Sequence, residues 1–199
     1  MNPLIIEGVP RSGTRFFCNF IEKQFDIVIF RVQSIIREYD NTLKKYYASN
    51  DKSILENYIS NLAHKQIIRE RLGDIKPFLD NYTQNHFSNL LYELFTYKAE
   101  EKGFNFWGLK FDNPIGMKIC DNLFPKCKFI HIIRDGRDVH LSAVKTLDEG
   151  YYTAYNNAKF WKKLIEERIA YGTSLGNKRY LQIRYEDLIS NTKKVANDV

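Results

Sequence analysis

Gly8-Val9-Pro10-Arg11-Ser12-Gly13-Thr14 lies between a short apolar run, residues 3–9, and a stretch with helical apolar spacing that begins at Arg15. A glycine turn leading from a strand into a helix lets successive backbone N–H groups and the positive helix end converge on an anion. The nucleoside triphosphate pattern G-x-x-x-x-G-K-[ST] finds its glycines at Gly8 and Gly13, but Thr14 stands at its lysine position and Arg15 at its hydroxyl position. Those two changes remove the charge that reaches a transferring phosphate and the hydroxyl that ligates magnesium. Arg11, inside the loop, can return positive charge from another direction. An ordinary strand–turn–helix corner uses the same residue types, so the loop alone does not decide for an anion.

A second unit repeats the design. Lys128-Phe129-Ile130-His131-Ile132-Ile133 reads as a strand, Arg134-Asp135-Gly136 stops it, and Arg137 to Lys145 has helical spacing. Ser142 follows Arg134 by about two helical turns, so a guanidinium fork and a hydroxyl can meet on one phosphate. The commoner fate of such a run is a surface pair between Arg134 and Asp135 or Asp138. If both units bind anions, the ligand carries two phosphates held apart.

The elements that must position these residues follow from apolar periodicity. Residues 34–102 are almost entirely helical: Ile54, Leu55, Tyr58, Ile59 and Leu62 share one face, as do Phe87, Leu90, Leu91, Leu94 and Phe95. Three helices are expected there, as an insertion or cap on the sheet, since the block is far longer than a simple crossover. Residues 106–111 read as extended, 113–124 as helical, and 153–171 as a long helix burying Phe160, Trp161, Leu164 and Ile165. A short strand at 180–183 and a helix from about Glu186 complete the chain. Strands separated by helices predict an α/β fold: a three-layer α/β/α sandwich with a mainly parallel central sheet, formed by 1–199 as one domain. Ligands of such sheets bind beyond the carboxyl ends of the strands, where both glycine turns lie.

Composition narrows the partners. In 199 residues, 44% hydrophobic and 27% charged, there is material for one core, which excludes disordered, collagen-like and coiled-coil chains. Thirty Lys and Arg against 24 Asp and Glu give +6, which suits a polyanionic partner such as a multiply phosphorylated cofactor. Nucleic acid is the least favoured of these, because the excess is modest and no basic-aromatic module is present. Cys18, Cys120 and Cys127 fit neither a disulfide scaffold nor a four-ligand zinc site, which points to a reducing, cytoplasmic compartment. No apolar run approaches the roughly 20 residues of a membrane span, and no export leader precedes Leu4.

Taken together, PLIIEGVPRSGT, WGLKFDNP, FIHIIRDGRDVHLS and IRYEDL, in that order from Pro3 to about Asn191, resemble the sulfotransferases that use 3′-phosphoadenosine 5′-phosphosulfate (PAPS). The PRSGT and RDGRD forms are nearest to the carbohydrate and protein-tyrosine branches. The resemblance implies a P-loop-like fold and transfer of a sulfuryl group to an acceptor hydroxyl of a glycan, small molecule or tyrosine, without a metal. It implies that Arg11, Ser12, Gly13 and Thr14 hold the 5′-phosphosulfate, that Arg134 and Ser142 hold the 3′-phosphate with Tyr185 near it, and that Arg11 and Lys110 are the electrostatic catalysts; Arg15, a departure from the pattern, either adds a phosphate contact or points to solvent. The helices of 34–102 would shape the acceptor pocket. Relatives commonly continue past the YEDL helix with a segment that closes over the adenosine; the sequence ends at Val199, which fits a truncated chain, a short variant or a degenerate member alike, and weak cofactor affinity is expected only if the natural protein lacks that segment.

The sequence also departs from the pattern. Arg15 stands where a second hydroxyl is common, Phe111 where a threonine follows the lysine, and IVIFRVQSII lacks the glutamate base of the carbohydrate and tyrosine branches. Asp112, two residues past Lys110, is the first choice of base, with Glu7 and Glu38 in reserve. Each carboxylate has a structural alternative: a helix cap for Asp112, a pair with Lys110 or Arg11 for Glu7, a solvated face for Glu38. His131 and His140 are less attractive, and His64 and His86 read as exposed helix positions. Two other functions compete with sulfuryl transfer: a non-catalytic nucleotide-binding protein on the same scaffold, and a P-loop nucleotide kinase.

Overall fold

The computed structural model describes residues 2–82, 89–112, 116–145 and 153–199. The chain opens with β1 (Leu4–Gly8), α1 (Thr14–Gln24) and β2 (Ile27–Phe30). A helical block follows: α2 (Gln33–Ser49), α3 (Ser53–Leu62), α4 (Gln66–Arg71), α5 (Lys76–Asn81) and α6 (Leu90–Glu101). Then come β3 (Phe106–Phe111), α7 (Gly116–Leu123), β4 (Lys128–Ile133) and α8 (Gly136–Val144). The last elements are α9 (Ala154–Leu175), β5 (Tyr180–Arg184), α10 (Tyr185–Ser190) and α11 (Thr192–Asp198).

The five strands form one parallel sheet in the order β2-β3-β1-β4-β5. β1 is central. From it the chain builds β2 and β3 on one side, then β4 and β5 on the other, so the topology switches between β1 and β4. At such a point the crossovers diverge to opposite faces and leave a crevice at the strand ends.

Two apolar layers sandwich the sheet. On one face Ile6, Ile29, Ile130, Ile132 and Ile183 pack against Phe17, Cys18 and Ile21 of α1 and against Leu188 and Val195 of α10 and α11. On the other, Ile5, Phe30, Leu109, Phe111 and Phe129 meet α2, α3, α6 and α7. Trp107 anchors that layer, fully buried, with Tyr92, Phe95 and Phe124 around its ring and its indole N–H donated to Thr96 Oγ1 at 3.0 Å. A buried indole needs such a partner, because a lost donor offsets much of the gain from its apolar area.

Four sequence expectations change. β2 was not anticipated: all four of its residues are buried, so it shows no alternation to betray a strand. The described part of 34–102 holds five helices rather than three, two of them only six residues long and below the length at which a periodic face is legible. Phe160 is 52% exposed, because α9 buries Leu164, Ile165, Arg168 and Gly172, a stripe that leaves Phe160 outside it. His64 is exposed, but in the turn after α3 rather than on a helix. His86, Phe87 and residues 113–115 lie outside the described residues.

Candidate active site

The glycine turn is built by its two conformational exceptions. Arg11 has φ 72° and Gly13 has φ 91°, both in the left-handed region that favours glycine. The chain thereby reverses after β1, with Ser12 N–H donated to Val9 O at 3.1 Å, and enters α1. No side chain caps α1, which leaves its first N–H groups to a ligand. The absence of a Cβ at Gly13 has a second use: a methyl there would run into the ring of Tyr185.

The second unit is different. Asp135 caps α8 itself, accepting from Arg137 N–H at 2.8 Å and from the Arg137 guanidinium, and these bonds hold its carboxyl down to about 2. The start of α8 is therefore taken, and anion contacts from this unit have to come from the side chains of Arg134 and Ser142. Arg134 is free of Asp135. Its guanidinium lies over the Tyr185 ring at 4.6 Å, donates to Arg11 O at 3.3 Å, and approaches Asp138 at 3.7 Å.

Arg11 Nε donates to Ser142 Oγ at 3.0 Å, so the two units meet directly. One cleft of about 580 Å³ is lined by Arg11, Gly13, Thr14, Arg15, Lys110, Asp112, Arg134 and Ser142, with Pro10, Phe16 and Asn19. Four cations thus face one carboxylate. Asp112 ion-pairs with Lys110 and accepts from Thr14 Oγ1 at 3.1 Å, while its N–H is donated to Gln33 Oε1 at 3.1 Å.

Ser12 stands apart from the cleft. Its side chain is fully buried, its Oγ has no hydrogen-bond partner among the described residues, and it fills the space beside Gly8, where a Cβ would strike it. Glu38 is also elsewhere, on α2 in an ion pair with Lys65 at 2.6 Å. Glu7 is buried behind the turn and pairs with neither Lys110 nor Arg11 but with Arg168, at 3.4 Å. Burial pushes its carboxyl up to about 8, against the pull of Arg168. His131 is buried too, its Nδ1 2.8 Å from Tyr180 OH, and burial with Arg168 nearby pushes it down to about 3, so it stays neutral. His140 Nδ1 lies 2.7 Å from Asn157 Nδ2, outside the cleft.

None of the cleft residues comes from the 34–102 block. Phe16 and Asn19 escaped sequence reasoning although they follow Gly13 by three and six residues, about one and two helical turns, and so did Arg168. Among the described residues, no group of three or more His, Cys, Asp or Glu side chains could hold a metal ion, and no helix is long and apolar enough to cross a membrane.

A profile of the sulfotransferase family matches residues 3–199. The chain belongs to the sulfotransferase family. No curated protein matches it. Among solved structures, this chain is similar to the sulfotransferase domain of the Synechococcus PCC 7002 olefin synthase, at TM-score 0.63 and 17% identity, over 99% of this chain and 72% of that one. It is similar to the sulfotransferase domain from the curacin biosynthetic pathway at TM-score 0.63 and 14% identity, over 98% and 70% of the two chains. A sulfotransferase from Alicyclobacillus acidocaldarius aligns at TM-score 0.54 and 14% identity, over 100% and 78%. At these identities the likeness is one of fold.

Proposed function

We propose that this sulfotransferase uses PAPS as donor and a hydroxyl as acceptor, on a glycan, a small molecule or a peptide tyrosine, with the glycan and tyrosine classes favoured by the PRSGT and RDGRD sequences. The observation that carries the reading is the convergence of Arg11, Lys110, Arg134 and Ser142 on one cleft at the β1/β4 switch. The residues fit a ligand with two separated anions. One station is the uncapped start of α1 with Thr14, Arg11, Arg15 and Lys110, which suits the 5′-phosphosulfate; the other is Arg134 with Ser142, which suits the 3′-phosphate, with Tyr185 supporting the guanidinium from below. Three buried free thiols, Cys18, Cys120 and Cys127, suit a cytoplasmic setting.

When bound, PAPS supplies an activated sulfuryl group whose bridging oxygen gains negative charge as the bond to sulfur breaks. Lys110 and Arg11 are fixed cations that favour this charge more than the ground state. Asp112 is the base: its Oδ1 or Oδ2 takes the proton of the acceptor hydroxyl, a role worth about 100- to 10,000-fold. In the ligand-free arrangement both oxygens are engaged, by Thr14 and by Lys110. An anion at the turn competes for those same two donors, and drawing them away frees the carboxylate. Donor binding and base activation are then one event.

Isothermal titration with 3′,5′-adenosine bisphosphate in the absence of magnesium tests the reading. The protein binds, and Arg134→Ala weakens binding by about 10- to 100-fold, the equivalent of about 1.5–3 kcal/mol for charged hydrogen bonds. No binding by the intact protein refutes the proposal, and magnesium-dependent binding of ATP in its place points to a nucleotide kinase. Binding without sulfuryl transfer to any of a broad acceptor panel favours the non-catalytic alternative.

A further inference from the structure

We propose that Arg168 is a positioning residue of the active site, a buried clamp that holds the tip of β3, with Lys110 and Asp112, against the tip of β1 and its glycine turn. The role assigned to those tips rests on the function proposed above; the clamp itself rests on contacts. Arg168 lies on α9, on the face of the sheet opposite α1, with its side chain only 1% exposed. Its guanidinium reaches three elements at once. Nε donates to Glu7 Oε2 at 3.4 Å on β1, Nη1 to Leu164 O at 3.3 Å on its own helix, and Nη2 to Asp112 O at 3.3 Å just beyond β3.

Arginine is always charged, and removing a guanidinium from water costs several kcal/mol unless its donors are met. An apolar side chain of similar volume would fill the same space without that cost, so packing alone does not account for an arginine here. What a hydrocarbon cannot do is bridge. Glu7 immediately precedes Gly8, and Asp112 is two residues past Lys110, so one planar fork joins the two strand tips whose side chains face the cleft. Glu7 is seated tightly in turn: a Cβ at Gly116 would collide with its Oε1, and Phe111 lies alongside. Glu7 accepts from Arg168 through Oε2 whether or not Oε1 carries a proton. His131, beside Glu7 in the sheet register, is neutral and buried and does not compete for the guanidinium.

Hydrogen exchange read by peptide, together with melting temperature, separates a clamp from a general stabiliser without reference to turnover. In Arg168→Met, amides of the peptide covering residues 106–112 exchange at least tenfold faster, while those of β4, β5 and α1 beyond its first turn stay within about twofold of the parent. Arg168→Lys keeps the charge against Glu7 but has no fork to span both tips, so it gives the same local loosening. Exchange at 106–112 equal to the parent in either variant overturns the proposal, as does uniform acceleration across the chain. If Arg168→Met does not fold, Arg168→Lys decides alone; failure of both to fold also overturns it, because Arg168 is then a global support. In the same variants, turnover falls at least tenfold with the donor KM within about threefold. If the parent neither binds 3′,5′-adenosine bisphosphate nor transfers sulfuryl groups, the functional reading falls while the exchange result still judges the clamp.

Discussion

Gly13→Ala tests the geometry at the centre of the cleft, and its size can be worked out in advance. Two costs add. The first is backbone: at φ 91° an L-residue is strained by about 1–2 kcal/mol. The second is collision, because the new methyl enters the ring of Tyr185, with Cγ at 3.3 Å and two further ring carbons nearer still. An aromatic ring cannot bend aside, so Tyr185 must leave its seat. It would surrender its edge contact with Phe16, now 6.2 Å between centroids, and its stacking under Arg134. Those interactions are worth about 0.5–1.5 and about 0.5–1 kcal/mol. The total is about 2–4.5 kcal/mol, which for a chain of this size lowers Tm by roughly 4–18 °C.

Gly103→Ala supplies the control, since φ there is 80° and nothing lies within 4 Å of the added Cβ. It carries the backbone strain alone and should cost about 1–2 kcal/mol. Thermal denaturation of both variants, and of Gly13→Ala in a Tyr185→Ala background, isolates the ring. The excess of Gly13→Ala over Gly103→Ala should be about 1–2.5 kcal/mol and should vanish when Tyr185 is removed. Displacing Tyr185 also unseats Arg134, so affinity for 3′,5′-adenosine bisphosphate should fall by about tenfold in Gly13→Ala and remain unchanged in Gly103→Ala. Equal destabilisation by the two substitutions refutes the seating of Tyr185 against the glycine turn.

Asp112→Asn should have opposite effects on binding and chemistry. Freed from the carboxylate, Lys110 and Thr14 turn to the anion, so titration shows 3′,5′-adenosine bisphosphate bound up to about tenfold more tightly, while kcat drops at least 100-fold with the base gone; unchanged kcat removes Asp112 from that role. Glu7 predicts a pH dependence of stability. Its carboxyl is raised from 4.5 to about 8 in the fold, so the native state keeps a proton that the unfolded chain releases over that interval. The stability so gained is complete below about pH 4.5 and is lost as pH rises through about 8. The Tm of the parent minus that of Glu7→Gln should therefore be larger at pH 5 than at pH 8.5; a flat difference shows that Arg168 keeps Glu7 ionised throughout.

Much of this site was legible in the sequence because its parts are local. The glycine turn, the strand-end Arg134 and the hydroxyl two turns later are fixed by short-range rules of backbone geometry and helical repeat. The parts that were not legible depend on long-range packing. Whether Asp135 or Asp138 takes Arg134 is a choice among neighbouring charges, and the cap on α8 made it by binding Asp135 to Arg137. Ser12 reads as a ligand-loop hydroxyl, yet the φ values of Arg11 and Gly13 turn it inward. Arg168 sits among Lys162, Lys163, Glu166 and Glu167, so charge alone assigns it to the solvated face of α9. The one signal available was its place four residues after Leu164 and four before Gly172, on the stripe that the helix buries.

Strand alternation explains why these residues separate as they do. Lys110 pairs in register with Ile6, and Arg134 lies two residues past Ile132, the partner of Gly8. Ile6 and Ile132 belong to the layer that covers α1, so the period of two sends Lys110 and Arg134 to that same face. Glu7 and His131, also paired, point to the opposite face, where α9 brings Arg168. The cations of the cleft and the Arg168 clamp behind them thus gather at the tips of neighbouring strands on opposite faces of one sheet, kept apart by the pleat. A one-residue slip of β4 against β1 would exchange the faces, placing Arg134 among the apolar residues under α9 and His131 toward α1. Ile130 and Ile132, both buried against α1, oppose that slip, so the register that closes the apolar core also holds Arg134 in reach of Arg11 and the cleft.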